Sequence, residues 1–359
     1  MSVSEKSLAP EKVSASYRPS RGVQILSLIG PYLGLLLVIV LFSLLIRRYK
    51  GLEELRHFLS LGNLKLVAVH ASVTAAVALG MTIIMISGGI DLSVGYVVSL
   101  VTVTTMLAYR WADAHGYTSA PASVLAVMVG LGTGVAAGAI NGTLITRLKV
   151  IPFVVTLGTM GIARGLAQYW SGGSPVHFPE GKPVPTWVPW LADINPTGPW
   201  RWLVIGPAPW SVLILGVAVA VLLRYTVLGR YCYALGSNES TARLCGIRVE
   251  RTKLILYTLA GLLTGWGGII QFARSGNGVH DVAAGLELDV IAAVVIGGGS
   301  LTGGEGTVSG TLIGSLLIYI LVNGCSELGL STEFRFIIIG LIIVVVSAVN
   351  MWRERRLQA

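Results

Sequence analysis

About ten apolar runs, each near the roughly 20 residues that a helix needs to cross a bilayer, make up most of this chain. They lie near 24–46, 64–87, 92–109, 122–146, 152–170, 209–224, 254–273, 287–299, 306–323 and 334–352. Backbone in hydrocarbon must satisfy its own hydrogen bonds, so runs of this length and number leave a helical bundle as the architecture. The expected fold is an all-α polytopic membrane protein with about ten transmembrane helices. Composition agrees, since 53% of residues are hydrophobic and 12% charged, against about 25% charged in a soluble domain. The run at 287–299 is short for a full crossing. It reads as a half-helix or a tilted approach to the turn that follows, shielded by protein or lining a cavity.

The polar island from Arg224 to Lys253 interrupts this pattern between two spans. Arg224, Arg230, Arg243, Arg248, Arg251 and Lys253 mark it as a cytoplasmic loop under the positive-inside bias. Asn238 is placed to cap a short helix, on which Ala242 and Gly246 lie one turn apart and are small enough for close contact. Two readings of the island stay open at this level: a surface gripped by a soluble partner, or a basic loop that only fixes topology. With both ends inside, more than half of the 26 Lys and Arg residues fall on the cytoplasmic side. The cluster Arg47 to Lys50, directly after the first span, conflicts with that orientation. The resulting division is a cytoplasmic tail at 1–22, a membrane domain at 23–352 with an outer loop at 172–208 and the basic loop at 225–253, and a second cytoplasmic tail at 353–359.

Several chemistries find no support. Cys232, Cys245 and Cys325 have no metal-ligand spacing and form no disulfide framework. Gly181-Lys182 is followed by Pro183, so no phosphate-binding loop is present, and the five His residues sit in no nucleophile motif. No catalytic residue, metal or cofactor is expected. The net charge of +9 is explained by the loops, not by nucleic acid.

Glycine carries the second signal. Gly130, Gly134, Gly138 and Gly142 make one bare helical stripe, and Gly306, Gly310 and Gly314 another. Such stripes let helices pack closely in lipid. Two clusters instead interrupt apolar runs: Ser87 to Gly95, containing Gly88, Gly89 and Asp91, and Gly297 to Gly306, containing Gly298, Gly303 and Gly304. Each follows an apolar run, breaks it with consecutive glycines and restarts from a Leu-Ser or Leu-Thr pair, which suggests broken-helix turns in a duplicated architecture. Asp91 is placed to cap the restarted helix. Arg164, inside a span, is expected to pair with a carboxylate such as Asp91 or to snorkel outward, and Gln168 is a further polar candidate for a pore. Asn141, Tyr169, Trp170, Gln271 and Asn323 are of the types that contact sugars, with no indication of which face a pore.

These residues carry a resemblance. Gly80-Met81-Thr82 through Gly89-Ile90-Asp91-Leu92-Ser93-Val94-Gly95 resembles the permease subunits of bacterial ABC importers for ribose, xylose, arabinose and related simple sugars. Three further stretches agree in order: Thr156-Leu157-Gly158 with Arg164-Gly165 and Gly173-Ser174-Pro175; Gly229-Arg230-Tyr231 with Ala234 to Glu239 and Gly246-Ile247; and Glu287 to Gly298. The N-terminal 60 residues and the long Pro- and Trp-rich outer loop depart from the pattern. The resemblance implies an inner-membrane permease, usually a homodimer, fed by a soluble periplasmic binding protein. It implies an ATPase with two nucleotide-binding domains that binds the ATP. The polar island is then the coupling loop, with Gly236, Asn238, Glu239, Ala242, Arg243 and Gly246 docking the ATPase. A branched-chain amino-acid-type ABC permease is the alternative, and an ion-coupled secondary transporter is disfavoured by the scarcity of deep acids.

Overall fold

The computed structural model describes residues 21–331 and scattered positions from 333 to 344. The tails expected at 1–22 and 353–359 and the tenth span at 334–352 lie wholly or mostly outside the described residues. The helices run in chain order as α1 (Arg21–Tyr49), α2 (Leu52–Phe58), α3 (Leu61–Ile86), α4 (Val94–Ala114), α5 (Ser119–Leu148) and α6 (Pro152–Ser171). After these come α7 (Trp187–Leu191), α8 (Pro207–Tyr225), α9 (Val227–Ser237), α10 (Glu239–Leu244), α11 (Val249–Ser275), α12 (Leu286–Ile296) and α13 (Val308–Glu327). Among the described residues the one pairing of extended backbone is an isolated bridge between Val176 and Gly278.

The first nine expected spans each coincide with a helix. Six of these helices, α1, α3, α5, α8, α11 and α13, are long and apolar enough to cross a membrane. Helices α4 and α6 have the length, 21 and 20 residues, but Thr102, Thr104, Thr105 and Arg110 dilute the first and Arg164 and Gln168 the second. With 11 residues, α12 extends about 16 Å, half a bilayer. It is the half-helix that the short run suggested. The Arg47 and Arg48 cluster occupies the last turn of α1, where cations complement the helix dipole.

Helix α3 is the axis of the bundle. In its most apolar stretch 94% of residues are buried, against 17% in α1 and 28% in α5 and α8. A helix apolar on all sides has no polar face to keep toward water and can be wholly enclosed, and α11 and α13 enclose it here. Gly80 lies on Ala260 of α11, Thr82 shares a 2.6 Å hydroxyl contact with Thr311 of α13, and Asn63 exchanges two amide hydrogen bonds with Asn323 at 2.9 and 3.0 Å.

The glycine stripes do what bare stripes allow. A Cβ on Gly134 would fall 2.5 Å from the Gly261 carbonyl oxygen, and one on Gly142 would fall 3.0 Å from Leu254 Cα. The backbones of α5 and α11 therefore touch directly along their crossing. Gly310 and Gly314 seat α13 on Gly297, the C-cap of α12, and on Ala293 of α12 in the same way, whereas Gly306, expected on the same stripe, lies in the turn before α13 begins at Val308. The 172–206 connection is ordered by aromatic packing: Trp187 stacks on Phe272 of α11 at 5.9 Å, and Phe178 meets the edges of Tyr109 and Phe272.

Candidate functional site

The polar island folds as two short helices with complete caps. The Asn238 side chain accepts from the Thr241 amide at 2.8 Å, which starts α10. Gly246, at φ +85°, ends it. Its amide donates to the Arg243 carbonyl at 3.0 Å, and the Ile247 amide donates to Ala242 at 3.1 Å. This is the paired closure of a helix at a left-handed residue, a conformation glycine adopts without steric cost. On the surface Arg243 bonds Glu250 at 2.7 Å, and Lys253 bonds Glu239 at 2.6 Å. Exposed pairs of this kind contribute about 0–1 kcal/mol each. They set the orientation of α10 more than its stability.

Two of the expected contact residues face inward. Ala242 is buried with Leu235 and Val249, so its small side chain closes the loop's own core and is not open to a partner. Gly236 lies at the joint with the bundle: a Cβ there would overlap the Ile86 carbonyl oxygen and fall 2.5 Å from the Gly304 amide. Asn238, Glu239, Arg243 and Gly246 are exposed as expected. The apolar residue they surround, Leu244, is 89% exposed. In the sequence Leu244 is marked only as the one large apolar residue of the hexapeptide Glu239–Leu244.

Helix α9 fastens this unit to the membrane bundle. Its Cys232 thiol donates to the Ile83 carbonyl at 3.2 Å, and its Tyr233 hydroxyl donates to the Gly306 carbonyl at 3.0 Å. Both glycine turns meet there. In the first, the amides of Gly88 and Gly89 donate to Met85 and Ile84; in the second, those of Gly298 and Gly299 donate to Val295 and Val294. Gly88 and Gly298 take φ of +81° and +88°, so the two turns share one local geometry. The second turn is longer than expected, because α13 restarts at Val308 on a Thr307 cap instead of at the Leu301-Thr302 pair.

Asp91 is buried and held by the turn ahead of α4, and not, as expected, as that helix's cap, since the N-cap position is Ser93. Its Oδ1 accepts from the Ser93 amide at 2.8 Å and the Ser93 hydroxyl at 2.6 Å, and its Oδ2 accepts from the Asn141 amide at 3.2 Å. The expected pairing with Arg164 does not occur. Arg164 is exposed on α6, with its guanidinium 5.5 Å from the centre of the Tyr96 ring. The sugar-type side chains divide accordingly. Asn141 belongs to the Asp91 network, Asn323 pairs with Asn63, and buried Gln271 accepts from Arg274 at 3.0 Å. Gln168, Tyr169 and Trp170 share with Arg164 the open side of α6, where Tyr169 is 81% exposed.

The family described as "Branched-chain amino acid transport system / permease component" matches residues 63–347. Over 298 residues the chain is 37% identical to the Ribose import permease protein RbsC of Escherichia coli (strain K12), covering 82% of this chain and 87% of that one. It is 36% identical over 318 residues to RbsC of Bacillus subtilis (strain 168), covering 88% and 90%. The Probable ABC transporter permease protein YphD of Escherichia coli (strain K12) is 34% identical over 299 residues, covering 83% and 84%. No solved structure matches the chain. The capped loop, the paired glycine turns and the enclosed axial helix thus stand in a chain that belongs to this family and is an integral-membrane permease subunit of an ABC importer, a transport component and not an enzyme.

Proposed function

We propose that this chain forms half of the translocation path for a monosaccharide or related small polyol across a bacterial inner membrane, with both termini and α10 in the cytoplasm. The observation that carries the reading is the fastening of α9 to both glycine turns, which lets a force on α10 reach α3 and α12 together. An ATPase with two nucleotide-binding domains docks on Leu244 and its charged surround, binds the ATP and tilts the bundle on closure. The open side of α6 supports a homodimer. An arginine facing lipid at mid-membrane would cost about 3 kcal/mol on insertion scales, and a second copy gives Arg164 and Gln168 an aqueous path instead. The sugar assignment rests on the ribose import permeases among the relatives, and a periplasmic binding protein would deliver the ligand to the α7 side.

The test is reconstitution of the permease in proteoliposomes with its ATPase and binding protein. ATP-dependent accumulation of labelled ribose, absent with permease alone, is the expected result. Accumulation of a labelled branched-chain amino acid in place of ribose would contradict the substrate class, and accumulation without ATPase would contradict the mechanism.

A further inference from the structure

A groove of about 840 Å³ opens between α8, α9 and the turn that leads into α13. Its walls are apolar side chains of two membrane helices, among them Leu213, Val217, Ala220 and Leu312, and its mouth holds Arg224 and Arg230. From Leu213 to Arg224 the wall follows α8 for about 16 Å at 1.5 Å per residue. That is the depth of one leaflet.

Neither guanidinium forms an ion pair or hydrogen bond with a described residue. Arg224 lies 5.6 Å from the centre of the Tyr225 ring, and Tyr225 is 68% exposed, as an aromatic side chain at the headgroup level is expected to be. Two uncompensated cations at the polar end of an apolar slot complement a molecule with an anionic head and a hydrocarbon tail. We infer that this groove binds an anionic phospholipid, whose phosphate bridges Arg224 and Arg230 while one acyl chain lies along α8 and α13. A segment of a soluble partner does not suit the slot, because its backbone would enter hydrocarbon without hydrogen-bond partners. A sugar does not suit it either, since the wall beyond the arginines offers nothing polar to replace the water around its hydroxyls. The exposed Thr307 and Ser309 hydroxyls at the mouth can donate to the same headgroup.

The site adjoins the coupling joint. Gly306, whose carbonyl accepts from Tyr233, is part of the groove lining. A bound lipid therefore packs against the connection between α9 and the second glycine turn.

The full-length permease, purified in detergent without its ATPase, tests the assignment by native mass spectrometry and thermal unfolding. The probes are phosphatidylglycerol, phosphatidylcholine with the same acyl chains, and inorganic phosphate. The expected result is retention of phosphatidylglycerol roughly tenfold or more above phosphatidylcholine, with a raised unfolding midpoint that phosphate alone does not reproduce. Retention should fall to the phosphatidylcholine level in the double variant Arg224→Gln/Arg230→Gln. It should also fall in Ala220→Phe, which fills the slot and keeps both charges. Equal retention of the two lipids by the unaltered protein overturns the assignment and needs no variant to fold. Full stabilisation by phosphate alone overturns it by reducing the site to an anion site. Unchanged phosphatidylglycerol retention in the double variant, with ATPase co-purification lost, overturns it by assigning the arginines to the ATPase. Because the lipid measurement uses the isolated permease, it can fail while the docking reading stands.

Discussion

The amide of Gly304 donates to the carbonyl of Ile86 at 2.9 Å, joining the turn after α12 to the last residue of α3. Gly236 of α9 rests on the same carbonyl and the same amide. One backbone hydrogen bond thus marks where the axial helix, the half-helix and the exposed loop converge. Because protein interiors are close-packed, a rigid displacement of α9 must move both turns or break this contact.

A single methyl group at Gly236 tests the joint. Gly236→Ala places a Cβ on the Ile86 carbonyl, and relieving that overlap costs about 1–3 kcal/mol. The surface of α10 is untouched, so the ATPase should still co-purify while hydrolysis stimulated by the loaded binding protein falls. A stimulation ratio equal to that of the unaltered complex would show that force does not pass through this contact.

Leu244 and Gly246 separate docking from folding. Leu244→Glu leaves the caps and the Leu235–Ala242–Val249 core intact, so thermal stability should stay within about 0.5 kcal/mol and ATPase co-purification should be lost. Gly246→Ala should lower the stability of the loop by about 1 kcal/mol, because φ +85° is strained for any residue with a Cβ. Gly246→Glu would mix the two effects and discriminates poorly. Retention of the ATPase by the Leu244 variant would return the loop to a topological role.

Asp91 should tolerate amidation better than truncation. Asp91→Asn keeps an acceptor for the Ser93 amide, and Asn141, whose Oδ1 has no hydrogen-bond partner, can rotate to accept from the new amide. Asp91→Ala orphans the buried Ser93 amide at a cost of about 1–3 kcal/mol. The comparison is unfolding midpoint and yield in detergent. Equal loss in both variants would mean that the charge itself is required.

Much of this was legible before folding because it is local. The Asn238 cap, the restart after Gly89, the half-length of α12 and the four-residue spacing of Gly130 to Gly142 each follow from neighbours within a turn or two. What was not legible depends on neighbours far along the chain. Ala242 signals close approach, but whether to a partner or to Leu235 and Val249 is decided by the return of α11. Arg164 needed a ring from α4, and Asp91 found its second partner 50 residues away on α5. The 172–206 connection read only as Pro and Trp until Phe272 supplied the surface on which Trp187 stacks.

The most direct test of the docking role uses a residue already in place. Cys245, next to Leu244, is exposed, whereas Cys232 and Cys325 are buried, so a membrane-impermeant maleimide on the native protein reports on the tip of α10. Labelling of the isolated permease in detergent and of the assembled complex with its ATPase should differ. The account predicts rapid modification of Cys245 in the isolated permease and protection by at least about tenfold in the complex, which corresponds to 1.4 kcal/mol. Equal labelling rates in an intact complex would contradict it.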